Sequence, residues 1–134
     1  MTVHLALWQR HDTPGVEACR VDHLPDGWQV AGTAVCVHDG RPCRLDYRVV
    51  CDPGWRTVRA AVDGWVGTAA VRVRAARRPD GQWRFNGRPR PVLAGCLDID
   101  LHFSPATNLL PVRRLDLAVG QSAGVAAAWL RFPE

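Results

Sequence analysis

Lysine is absent from this 134-residue chain; all 17 basic side chains are arginine. Beside abundant alanine and valine, that usage reads as a GC-rich coding bias rather than as a binding signal. The 13 acidic residues alternate with the arginines, and no run of five like charges occurs. A formal net charge of +4 and a pI near 9.1 could advertise nucleic acid or an anionic membrane surface, but charges interspersed in this way read better as a solvated surface, and no nucleic-acid partner is expected. No apolar run approaches the roughly 20 residues that a bilayer span needs, so no transmembrane segment is expected. Met1 to Asp12 lacks the basic-then-apolar order of an export signal, which points to the cytoplasm. Cys19, Cys36, Cys43, Cys51 and Cys96 form no C-x-x-C pair and have no metal-ligand spacing. Their odd number speaks against a complete disulfide framework and for small buried hydrophobes. Repeats, low-complexity stretches, phosphate-cradling glycine loops and G-x-S-x-G are missing as well. No metal, cofactor or catalytic residue is expected.

What is present is a globular composition, 47% hydrophobic and 22% charged. The length fits one domain, residues 1–134, able to bury a core without staples. Turn dipeptides recur at Asp39-Gly40, Pro53-Gly54, Asp63-Gly64, Asp80-Gly81 and Asn86-Gly87, between segments rich in valine, alanine and aromatics. Cys43, Leu45, Tyr47, Val49 and Cys51 alternate with Arg44, Asp46 and Arg48. No stretch carries apolar residues at helical spacing with a cap at each end. The fold class is mainly β.

The turns predict register. A two-residue loop at Asp39-Gly40 sets Cys36 opposite Cys43, Ala34 opposite Leu45 and Gly32 opposite Tyr47. A two-residue loop at Pro53-Gly54 sets Val58 opposite Val49, Ala60 opposite Tyr47 and Val62 opposite Leu45. Three strands follow, near Trp28 to His38, Cys43 to Asp52 and Trp55 to Asp63. A fourth is expected near Thr68 to Arg77. A turn at Asp80-Gly81-Gln82 then brings Trp83 and Phe85 onto the apolar face. Leu97, Ile99, Leu101 and Phe103 alternate with Asp98, Asp100 and His102, and Val125 to Phe132 reads as a last strand. Pro105 and Pro111 bracket a segment expected to be an ordered crossing loop, tied by Asn108.

Asp98-x-Asp100-x-His102 is the sharpest polar constellation. As a strand it sets three side chains on one face, a spacing that acid–base chemistry or a metal could use. No further ligand stands nearby, and Arg113 or Arg114 can neutralise an aspartate instead. A D-x-D string also occurs in nucleotide-sugar transferases, but their α/β scaffold needs helices absent here. The six tryptophans suit a core better than a sugar- or lipid-contacting wall, although both uses exist.

Gly95-Cys96-Leu97-Asp98-Ile99-Asp100-Leu101, followed by Ser104-Pro105-Ala106-Thr107-Asn108-Leu109-Leu110-Pro111-Val112-Arg113-Arg114-Leu115, is distinctive. It resembles the signature of the bacterial "putative glycolipid-binding" family, G-C-x-D-x-D and then T/S-P-x-T-N-x-L-P-I-R-R-L. Trp8, Glu17, Gly32, Tyr47, Trp55, Gly81, Trp83, Asn86-Gly87 and Trp129 match in the family's order, so the likeness covers nearly the whole chain. The resemblance implies a strongly curved antiparallel sheet, a half-open barrel similar to bacterial lipoprotein carriers, with ligand on the concave apolar side. It offers no catalytic residues. Family members continue beyond Pro133-Glu134, so the expectation is a sheet incomplete at its C-terminus, with an open apolar face.

The function expected is non-catalytic binding of a lipid or glycolipid. Apolar contact falls to Trp28, Val30, Leu45, Tyr47, Val58, Trp83 and Phe85. Asp98, Asp100, Asn108 and Arg113 are the candidates for a headgroup. Two alternatives stand beside it: an interaction module that forms a homodimer through sheet edges, and an enzyme built on Asp98 and Asp100.

Overall fold

A computed structural model describes residues 3–131. Eight strands lie side by side in chain order, each antiparallel to the next: β1 (Val3–Gln9), β2 (Gly15–Leu24), β3 (Gly27–His38), β4 (Arg41–Cys51), β5 (Thr57–Val66), β6 (Ala69–Arg77), β7 (Trp83–Phe85) and β8 (Arg88–Pro89). The sheet is curved and half-open, and it does not close into a barrel. β1 and β2 extend the expected meander at its N-terminal side. Alternation does not single out β1, because Leu5 and Leu7 face outward while Ala6 and Trp8 face inward, leaving apolar residues on both sides.

Turn chemistry sets the first register as expected. Asp39 and Gly40 both take left-handed φ, 49° and 72°, and Cys36 meets Cys43, Ala34 meets Leu45 and Gly32 meets Tyr47. The next turn is displaced. Trp55 adopts φ 67°, its N–H donates to the Asp52 carbonyl at 3.0 Å, and the Asp52 N–H donates to the Arg56 carbonyl at 2.9 Å. Val49 therefore meets Ala60, Tyr47 meets Val62 and Leu45 meets Gly64, two residues from the expected partners. A two-residue displacement preserves the parity of a strand, so Ala60 and Val62 still point into the core. Val58 does not: an irregularity at Val50/Cys51 leaves it half-buried and gives the inward place to Thr57.

Asp63-Gly64 is not a turn but lies inside β5. A Cβ at Gly64 would come within 1.9 Å of the Arg44 carbonyl oxygen, so this dipeptide marks a close approach of two strands. The reversal occurs at Gly67-Thr68 instead, between Val66 and Ala69. The later turn is Pro79-Asp80-Gly81, one residue earlier than expected, with the Arg78 N–H donating to the Gln82 carbonyl. Trp83 and Phe85 still reach the core.

The chain then crosses the inner face of the sheet. After a 3₁₀ turn at Pro91–Leu93 come β9 (Ile99–Leu101), a second 3₁₀ turn at Pro105–Asn108, the helix α1 (Leu109–Leu115) and β10 (Ala128–Leu130). β9 and β10 pair in parallel, Ile99 with Ala128 and Leu101 with Leu130. The two expected strands thus shrink to three residues each, and Phe132 lies outside the described residues. The segment bracketed by Pro105 and Pro111 is helical rather than a loop. Only Leu110 of α1 is buried, which is too little apolar pattern to announce a helix. Pro111 stands in its first turn, where a missing N–H removes no intrahelical bond.

The apolar face is not open. Ile99, Leu101, Phe103, Ala106, Leu110, Ala128 and Leu130 pack with Val30, Leu45, Tyr47, Val49, Val62, Trp83 and Phe85 in one core. Polar clamps fix the cover to the sheet. Thr57 Oγ1 accepts from the Ile99 N–H at 3.1 Å, the Thr57 N–H donates to the Leu97 carbonyl at 2.8 Å, and Trp83 Nε1 donates to the Cys96 carbonyl at 3.0 Å.

Candidate functional site

The cover does not seal the N-terminal side of the sheet. Between β1–β2 and the stretch from Asp100 to Asn108 lies a cleft of about 490 Å³. Trp8, Arg10, Glu17, Cys36, Asp100, His102, Ser104 and Asn108 are among its walls. Beside it is a smaller, almost wholly apolar slot of about 220 Å³, lined by Leu5, Ala6, Cys19, Val21, Val30, Ala106 and Leu109. Trp8 and Pro105 border both spaces. An apolar slot thus adjoins, across an indole, a cleft that carries polar groups in its walls, an arrangement suited to an amphiphile.

Glu17 is the buried polar centre of the cleft. It belongs to the inward set of β2 with Cys19 and Val21, and only 6% of it is exposed. Its Oε2 accepts from the Tyr47 hydroxyl and from the Ser104 hydroxyl, both at 2.5 Å. Burial pushes the Glu17 carboxyl above its ordinary value, against the pull of those two donors. The Tyr47 hydroxyl is raised too, by burial first and then by its bond to Glu17. Ser104 also accepts from the Ala106 N–H at 3.0 Å, and Thr107 Oγ1 accepts from the Leu101 N–H at 3.1 Å. These two side chains tie the crossing segment. Asn108, expected in that role, is exposed and makes no side-chain hydrogen bond among the described residues.

The expected ligand residues disperse. Leu45 and Trp83 are wholly buried under the cover, Tyr47 is 3% exposed and held by Glu17, and Val30 contributes only a wall of the apolar slot. Phe85 is 8% exposed and lies under the Arg90 guanidinium, and Val58 sits at the irregularity in β5. Trp28 stacks on Trp55 at 4.5 Å, and Arg113 covers the other ring at 5.3 Å. Asp98 and Asp100 stand in different surroundings. Asp98 is 1% exposed and bound by Arg114 through two hydrogen bonds of 2.7 and 3.2 Å. Asp100 and Asn108 do border the cleft. His102 meets the Trp129 ring at 5.4 Å. Among the described residues no cluster of three or more metal-binding side chains occurs.

Trp8, Glu17 and Ser104 are the site residues that residue-by-residue reading did not single out. A signal for Glu17 was present: an acidic residue in phase with Cys19 and Val21 of an alternating strand is bound inward, where a carboxylate needs donors.

No functionally curated protein matches the chain. A crystal structure of a DUF1089 family protein from Pseudomonas aeruginosa is similar, with a TM-score of 0.76 and 31% identity over 96% of this chain and 68% of that one. The family model described as "Putative glycolipid-binding" matches residues 5–134. Sheet, cover and motif thus agree, and the chain belongs to that family.

Proposed function

We propose that this protein binds a lipid or glycolipid non-covalently, with the alkyl portion in the slot under β1 and the headgroup in the adjoining cleft. One observation carries the reading: an apolar slot and a cleft with polar groups in its walls meet at Trp8, at the edge where the cover leaves the sheet accessible. The inner face further along the sheet is occupied by the protein's own side chains, which moves the proposed ligand from the middle of the sheet to its N-terminal edge. No catalytic step is part of the proposal, because Asp98 is committed to Arg114. Displacement of a fluorescent fatty-acyl probe tests it. Ala6→Phe, which fills the slot from an edge strand, abolishes probe binding while the protein stays folded. Unaltered binding by that variant sinks the assignment of the slot.

A second reading rests on β1 itself. It is one of the two outermost strands of the sheet, and Leu7 is 79% exposed on its outer side. Such an edge supports pairing with a second copy. Sedimentation of wild type against Leu7→Lys, a position outside both the slot and the cleft, separates the two readings: a dimer lost in the variant, with probe binding intact, makes dimerisation an additional property of this edge.

A further inference from the structure

Both hydroxyl donors around Glu17 converge on one oxygen, Oε2. Among the described residues no donor reaches Oε1, yet none of their buried side-chain oxygens lacks a partner. Oε1 is therefore not sealed in the core, and since Glu17 lines the cleft, that oxygen opens into it. We infer that the cleft takes an uncharged, hydroxyl-rich headgroup, such as a neutral sugar, and that Glu17 selects it by accepting a ligand hydroxyl on Oε1.

The charges around the cleft favour this class over an anionic headgroup. An ionised carboxylate only accepts hydrogen bonds, so it pairs with hydroxyl donors and repels phosphate. Asp100 adds a second carboxylate to the walls. The one arginine there, Arg10, is already engaged by Asp12 through two hydrogen bonds of 2.9 and 2.6 Å. Asn108 brings both donors and acceptors, and the Trp8 indole supplies a flat wall of the kind a pyranose ring stacks on.

This inference rests on the lipid-binding reading above and is tested so that the two can fail separately. Calorimetry at pH 8 compares octyl β-glucoside, octyl phosphate and octanol, all below their micellar concentrations. Wild-type protein is expected to bind the glucoside at least about tenfold more tightly than the phosphate, as like-charge rejection in a partly desolvated cleft requires. Glu17→Gln is expected to narrow that ratio by about fivefold or more and to leave octanol binding unchanged. Leu109→Ala, in the slot, weakens all three ligands alike. Equal affinities, or a preference for the phosphate, in the wild type overturn the inference while leaving lipid binding standing. So does a folded Glu17→Gln protein with an unaltered ratio. Failure of folded wild-type protein to bind any of the three overturns the lipid-binding reading and this inference with it. The wild-type ratio decides the matter even where Glu17→Gln does not fold.

Discussion

Gly32 lies directly against the Tyr47 ring: a Cβ there would stand 2.5 Å from Tyr47 Oη and 2.8 Å from Cζ, and 2.4 Å from the Ala18 carbonyl oxygen. Neither a strand carbonyl nor a core ring can retreat easily. Gly32→Ala is therefore expected to destabilise the protein by about 1–3 kcal/mol, the usual cost of overpacking. It should also push the Tyr47 hydroxyl off Glu17. Urea unfolding reads the first effect. A midpoint equal to that of wild type would contradict the close approach.

Tyr47→Phe removes one of the two donors on Glu17 without changing the shape of the ring. The expected loss is about 1–3 kcal/mol, because a buried carboxyl is left with the Ser104 hydroxyl alone. A double-mutant cycle with Glu17→Met, which removes the acceptor, should show coupling of the two sites. Strict additivity would mean that the hydrogen bond contributes nothing to stability.

Among the described residues Arg114 is the only cation paired with Asp98, a carboxylate 1% exposed. Arg114→Leu is expected to cost about 3–5 kcal/mol, since it leaves that charge buried without its counterion. Asp98→Asn in the same chain should recover part of the loss. If the single variant melted at the wild-type temperature, the pair would be ornamental.

Stability should depend on pH through Glu17. Burial raises its folded-state carboxyl above the value of 4.5 expected in the unfolded chain, while its neighbours Tyr47, Ser104 and Cys19 remain neutral. Between those two values the folded state holds a proton that the unfolded state has released. Folding is thus favoured as pH falls toward 4.5, and this contribution is lost as pH rises through the folded-state value. The difference in unfolding free energy between wild type and Glu17→Gln isolates it, because the other carboxylates cancel. A difference that is constant with pH, or that grows in wild type's favour as pH rises, rules it out.

Local chemistry determined the β class, the Cys36–Cys43 register and the inward set of each central strand, because two-residue turns and period-two alternation act between neighbours in the chain. Even where the Pro53 and Asp80 turns shifted the pairing, parity kept Ala60, Val62, Trp83 and Phe85 inside. The Gly95–Leu115 motif was enough to place the chain in its family. Only the tertiary structure decided what covers the sheet and where it stays accessible. Seven residues of α1 with one buried side chain are too short a pattern to read as a helix. Ser104 meets Glu17 across 87 positions, and Tyr47 meets it across 30. No local rule couples positions so far apart, since such contacts are set by how the cover docks on the finished sheet. For the same reason the apolar side chains most conspicuous in the strands became core, and the accessible cleft formed at the N-terminal edge, where the cover ends.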